Sequence, residues 1–214
     1  MLHLHNSLTI LGNGLRTAVP PSNPQHVNCV KEAIGIYQAQ QAELQKLIQD
    51  PAFQNQSQNM QCSMVSIMGN IAACYSDLGR YDLSWEKKSL EMKRETYDKA
   101  EACNLPFVNR LQLACNVANS LIGLKHFTEA KSFLRKPLDT AVSVLDANHV
   151  LVLQLRVIFG QAQLHDAKSR GEVVEAEKVL ADAYARQRRV CGPSHPDTRF
   201  AQTVLETARA ALDA

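Results

Sequence analysis

Apolar side chains recur along this chain at the spacing of buried helix faces. Ile67, Met68, Ile71, Tyr75 and Leu78 keep the three-and-four rhythm that turns one helix face inward. A partner helix is predicted from near Tyr81 through Leu83, Trp85, Leu90 and Met92 to about Ala102. The pair then returns as Leu111, Leu113, Val117, Leu121 and Leu124, followed by Phe127, Ala130, Phe133, Leu134, Leu138 and Leu145. It returns a third time from about His149 to Lys168 and from Val173 through Ala176, Leu180, Ala183 and Tyr184 to Val190. Gly79 is expected to end the first helix in the left-handed conformation of a C-terminal cap. Pro106 and Pro196 suit the first turns of new helices, whereas Pro137 falls inside one and should bend it.

The three copies lie 46 residues apart. Tyr81, Phe127 and Val173 are so spaced, as are Gly79, Lys125 and Gly171, the small residues Ser84, Ala130 and Ala176, and the pair His149 and His195. A fixed period of this length marks stacked supersecondary units. The expected fold is all-α, a right-handed α-solenoid of eight or nine helices in antiparallel pairs. Upstream, Cys29 to Ile48 carries a strong helix pattern, with Leu2 to Leu11 as its partner. Thr17 to Pro24, with three prolines, and the polar stretch Asp50 to Gln58 are predicted loops. Downstream, Phe200, Val204, Leu205, Ala208 and Leu212 share one side of a last helix and Gln202, Glu206 and Arg209 the other, as a capping helix requires. The chain is thus divided into a divergent N-terminal helix pair (1–58), three repeats (59–104, 105–150 and 151–197) and a C-terminal cap (198–214).

Charge narrows the partners. Twenty-three basic and twenty-one acidic side chains leave a net charge of +2 with no long run of one sign, which argues against nucleic-acid or membrane-surface binding. No stretch approaches the roughly 18 apolar residues of a membrane helix, and the first six residues lack the basic and apolar regions of a signal peptide. The six cysteines form no CxxC pair and sit mostly in helical patterns, so reduced thiols and a cytoplasmic location are expected.

The turns carry a family resemblance. Gly79-Arg80-Tyr81-Asp82, Phe127-Thr128-Glu129-Ala130 and Val173-Val174-Glu175-Ala176-Glu177 resemble the helix-turn-helix centre of tetratricopeptide repeats. Gly192-Pro193-Ser194-His195-Pro196-Asp197-Thr198 is similar to the Gly-x-x-His-Pro-Asp-Thr linker of the kinesin-light-chain-like subclass, and Asn148-His149 is a degraded copy of it. In that family the small residue lets two helices cross closely, and Ser84 departs from the usual alanine. The first helix of the third unit aligns only with a small insertion. No heptad coiled coil precedes the repeats, so a complete kinesin light chain is not expected.

The resemblance implies a concave groove facing Ser66, Gly69 and Ala73, then Gln112, Cys115 and Asn119, then Arg156 and Gln163. The chaperone-binding members of the family hold lysine and asparagine at the second and third of these positions; Gly69 and Cys115 offer no such carboxylate clamp. Asn70 and Asn116 match in two first helices, where an asparagine either touches a peptide backbone or, as buried amides usually do, bonds a neighbouring helix. Arg110 and Arg156 form either a basic ladder for an acidic peptide or two solvated surface charges.

Catalytic and metal chemistry find no foothold. His3 and His5 are two apart, which on a helix points them to different faces, and no partner stands at ligand spacing. Gly12-Asn13-Gly14 lacks the strand and helix that flank a phosphate loop, and no nucleophile motif is present. Cys191 and His195 both belong to the linker, where a structural role for His195 outweighs a nucleophile–base pair. No enzyme activity, cofactor or metal is expected. The leading function is a scaffold that binds a protein or peptide in the groove. The alternative is the helical-repeat tail of a larger enzyme or zinc-finger protein whose chemistry lies upstream, a reading the uncapped N-terminal half-repeat favours.

Overall fold

A computed structural model of the chain describes residues 2–213, the side chains of residues 2–6 excepted. Among the described residues it contains nine α-helices, a 3-10 turn and no strand. The chain divides into two compact units at Pro106 and Phe107.

The first unit comprises α1 (Leu2–Thr17), α2 (His26–Gln49), α3 (Ser57–Gly79) and α4 (Leu83–Ala102), each packed on the next. Its core joins Val30, Ala33, Tyr37 and Leu44 of α2 to Met64, Ile67, Met68, Ile71 and Leu78 of α3, with Trp85 and Met92 of α4 against them. Three boundaries differ from the sequence-based expectation. Helix α1 runs six residues beyond Leu11, through Gly12-Asn13-Gly14 to Thr17. The reason is Tyr37: a Cβ on Gly12 would lie 2.6 Å from its ring, and its hydroxyl donates to Asn13 Oδ1 at 2.8 Å. The segment Pro51–Gln56, expected as loop, coils into the 3-10 turn once Asp50 accepts the N–H of Ala52. The proline-rich loop is pinned from two sides. Buried His26 bonds Val19 O through Nδ1 at 3.0 Å, and the Tyr81 hydroxyl donates to Pro21 O at 2.6 Å.

Gly79 ends α3 for a different reason from the one expected. Positive φ among the described residues occurs at Asn104, Lys125 and Gly192, and not at Gly79. A Cβ there would meet the backbone of Glu86 at 3.3 Å and its carboxylate at 2.8 Å, so Gly79 is small to let α4 close on α3. The small-residue position is corrected as well. Ser84 is exposed, while Ser89 is fully buried and donates from Oγ to Ala72 O at 2.8 Å. The inward face of α4 runs Trp85, Ser89, Met92, Thr96, one step round from the 46-residue register, and one residue of slip turns a helix by about 100°. Ser84→Arg should therefore leave stability within about 0.5 kcal/mol, whereas Ser89→Arg should cost about 3 kcal/mol or more. Urea denaturation of the two variants decides the register, and the reverse order would refute it.

The second unit holds α5 (Phe107–Gly123), α6 (Phe127–Val144), α7 (Val150–Asp166), α8 (Arg170–Cys191) and α9 (Pro196–Asp213). Two cores share α7. Leu151, Val152, Leu155 and Ile158 meet Leu111, Cys115, Ala118, Leu134 and Ala141 on one side. Val157 and Leu164 meet Ala176, Leu180, Ala183, Val204 and Leu205 on the other. A helix covered on both sides must be apolar nearly all round, as α7 is. Helices α6 and α8 keep the 46-residue register in their buried faces: Ala130, Leu134, Pro137, Ala141 against Ala176, Leu180, Ala183, Gln187. Pro137 is buried within α6, which is continuous through it. Helix α8 starts at Arg170, three residues before Val173, because Ser169 caps it. Ser169 Oγ accepts the N–H of Glu172, whose carboxylate reaches back to the N–H of Lys168. His149 and His195 do the same work at two helix starts, each Nδ1 accepting the N–H two residues on at 3.2 Å.

Candidate functional site: an amide-lined cavity in the second unit

Helices α5, α7, α8 and α9 line an open cavity of about 370 Å³. From α5 come Gln112, Cys115 and Asn119, three of the residues singled out for the groove, successive on one face because they are three and four apart. From α7 come Gln154, Val157 and Ile158, from α8 Gln187, and from α9 Asp197 and Phe200. Gln112 and Asn119 are exposed and Cys115 is buried. Burial, and after it the negative charge of Asp197, pushes the Cys115 thiol up to about 12, so it stays protonated and is a poor nucleophile at neutral pH.

The polar groups are unevenly satisfied. Gln154 donates from Nε2 to Asp197 Oδ2 at 2.5 Å, while its Oε1 is buried without a partner. Gln187 is 1% exposed and its Oε1 is likewise without a partner. Asp197 sits in the first turn of α9, where the helix N-terminus favours its charge.

The other sequence-derived residues lie elsewhere. Arg156 turns to α8, its guanidinium 3.1 Å from Asp182. Gln163 borders a separate cavity with Lys131, Ser169, Glu172 and Glu175. Helix α7 begins 43 residues after α5, at Val150 against Phe107, and it turns Gln154, Val157 and Ile158 to the cavity in place of Arg156 and Gln163. Arg110 leans over the Phe107 ring at 5.7 Å, and Arg156 is neutralised by Asp182, so the two do not stand as a free basic pair. Asn116 is half-buried, and its side chain makes no hydrogen bond to another described residue. In the first unit Asn70 is half-buried in the same way, and Ser66 is exposed with its hydroxyl donating to Cys62 O at 3.3 Å.

Sequence reasoning missed Gln154, Gln187, Asp197 and Phe200. Gln187 left a legible sign, a polar residue on the otherwise apolar face of α8. Asp197 was visible only as part of the linker motif. The side chains of His3 and His5 lie outside the described residues. Among the described residues, no three His, Cys, Asp or Glu side chains gather as a metal site, and no helix is long and apolar enough to cross a membrane.

Comparison with known proteins fits this architecture. Residues 166–197, the span of α8 and its linker, match the family model of the tetratricopeptide repeat. No curated protein matches the chain. Among solved structures, the nearly identical TPR-like repeats of a Podosopora anserina protein described as a kinesin light chain superpose with a TM-score of 0.65, at 18% identity over 96% of this chain and 85% of that one. A single-residue variant of the same repeats superposes with a TM-score of 0.67 at the same identity and coverage. Residues 166–197 are thus similar to a tetratricopeptide repeat, and the chain has the all-α fold of kinesin-light-chain-like tetratricopeptide repeats.

Proposed function

We propose that this chain is a protein-interaction scaffold whose second unit holds an extended peptide segment of a partner protein against α5, α7 and α9. The observation that carries this reading is the meeting of the exposed side chains Gln112, Asn119 and Phe200 with Gln154 and Gln187 around one open cavity. Amides offer both donors and acceptors, which suits a peptide backbone, and the small or apolar neighbours Cys115, Val157 and Ile158 leave room for side chains. In the first unit, Ser66 and Asn70 hold the positions that repeat at Gln112 and Asn116, and we assign them a partner contact of their own. Arg156 and Gln163 remain candidates for contacts outside the cavity.

Affinity purification with the full chain as bait, read by mass spectrometry, would identify the partner. Asn119→Ala should then weaken its binding by about 1 to 3 kcal/mol, the cost of leaving a buried group unpaired. Melting should barely change, because Asn119 is exposed. Arg135→Ala, on the exposed side of α6, is the control and should alter neither. Lys131 is unsuited to that purpose, since its ammonium pairs with Asp166 at 2.5 Å and ties α6 to the end of α7. Equal loss of binding from Asn119→Ala and Arg135→Ala, or loss from neither, would exclude this face as the site.

A further inference from the structure

Two cysteines meet at the end of the α3–α4 pair that lies opposite its turn. Helix α3 ends at Gly79 and α4 starts at Leu83, so the first turns of α3 stand beside the last residues of α4. Gln58 fixes this register, its side-chain amide donating to Cys103 O. Cys62 and Cys103, 41 positions apart in sequence, bring their sulfurs to 4.0 Å, with the Cys62 thiol directed at Cys103 Sγ. The other four cysteines, Cys29, Cys74, Cys115 and Cys191, have no such sulfur neighbour among the described residues. The two partners differ in access: Cys62 is partly exposed, while Cys103 is 3% exposed. They differ in freedom too. Cys62 lies within α3, whereas Cys103 is the residue just past α4, and Asn104 follows it in the left-handed region at φ 52°. A sulfur at such a helix end can move inward without breaking the pairing of a helix interior.

We infer that Cys62 and Cys103 are a reversible dithiol that oxidises to a disulfide stapling the open end of the α3–α4 pair. Sulfurs already in contact need only approach by about 2 Å to reach bonding distance, a step that rotation of the two side chains supplies. The oxidant is a low-molecular-weight disulfide such as glutathione disulfide. The Cys62 thiolate attacks one of its sulfurs, forming a mixed disulfide and releasing one glutathione thiolate. The Cys103 thiolate then attacks the Cys62 sulfur and expels the second. The two protons given up by the protein thiols pass to the two leaving thiolates, so the chain loses two electrons and one glutathione disulfide becomes two glutathione molecules. Burial, and after it the neighbouring Cys103, raise the Cys62 thiol, so little of it is thiolate at neutral pH. Exchange is therefore slow, which suits a staple set by standing redox conditions and not a rapid peroxide sensor. Because the bond closes a long loop, it restricts the unfolded chain strongly and stabilises the first unit.

The test uses the full chain equilibrated in reduced or in oxidised glutathione, quenched with acid, alkylated and mapped by mass spectrometry. In oxidised glutathione, a pair of peptides linked through Cys62 and Cys103 should replace the two alkylated peptides, and excess reduced glutathione should restore them. Trp85, the single tryptophan of the chain, lies in α4, so its fluorescence reports the first unit. The melting midpoint it reads should rise by about 10 °C on oxidation. Cys62→Ala, at a partly exposed position, should fold like the wild type and lose both the link and the shift. Cys191→Ala, in the second unit, should keep both. A Cys62 that stops as a mixed disulfide with glutathione, or a link that forms only after unfolding in urea, would overturn the staple. So would a link that leaves the midpoint unchanged or lowers it.

Discussion

Ala176→Arg is expected to cost at least about 3 kcal/mol and to leave the second unit unfolded or loosely packed near physiological temperature. Ala176 is 0% exposed and packs in the core that α8 shares with α7 and α9. A methyl group fills that place, so a guanidinium there would have to displace packed side chains and leave water without a counter-charge. Ala130→Arg should act alike, because Ala130 is also 0% exposed and sits at the same point of the α6 face. Ala176→Ser separates size from polarity and should cost only about 1 kcal/mol. Chemical denaturation monitored by circular dichroism reads all three, and unchanged midpoints for both arginine variants would refute the packing described here.

The second large effect belongs to Gly160. A Cβ built at this position in α7 lies 2.9 Å from both Cγ and Cδ2 of Leu180 on α8, closer than packed carbons approach. Gly160→Val should therefore destabilise by about 2 kcal/mol, even though valine favours the helix over glycine by a few tenths. Leu180 is 0% exposed, and Leu180→Ala should cost about 2 to 5 kcal/mol through lost burial and the cavity left behind. The double variant is the decisive measurement. With the leucine branch gone, the valine has somewhere to go, so the combined loss should fall short of the sum by about 1 kcal/mol or more. Strict additivity would mean that the two helices do not press on each other at this point.

Much of this architecture was legible because it rests on local chemistry. The buried faces of α6 and α8 repeat every 46 residues and could be read from Ala130 and Ala176 onward, since helical periodicity is a property of the segment itself. The equivalence of His149 and His195 was visible as a spacing, and a capping side chain acts only on the next turn. The Ser169 to Glu172 capping box was also present in the letters and would have placed the start of α8 correctly. The choice of Gln112, Cys115 and Asn119 followed from the family resemblance, and these three line one cavity because they share a helix face.

What stayed hidden depends on the neighbour that a helix meets. Nothing near Ser84 shows that α4 rolls by one residue; that follows from Glu86 closing on Gly79 and Ser89 reaching Ala72. Helix α1 runs past its two glycines because Tyr37, about two dozen residues away, needs the space over Gly12 and bonds Asn13. The same holds for the cavity. Gln154, Gln187 and Asp197 come from three helices, and only the stacking of α7, α8 and α9 sets an unpaired amide oxygen beside a carboxylate. The sequence by itself determined where helices form, because hydrogen bonding and capping are settled within a few residues. The rotation of each helix, and hence which polar groups share the cavity, was decided by tertiary packing, where contacts between distant residues select among faces that local energies leave nearly equal.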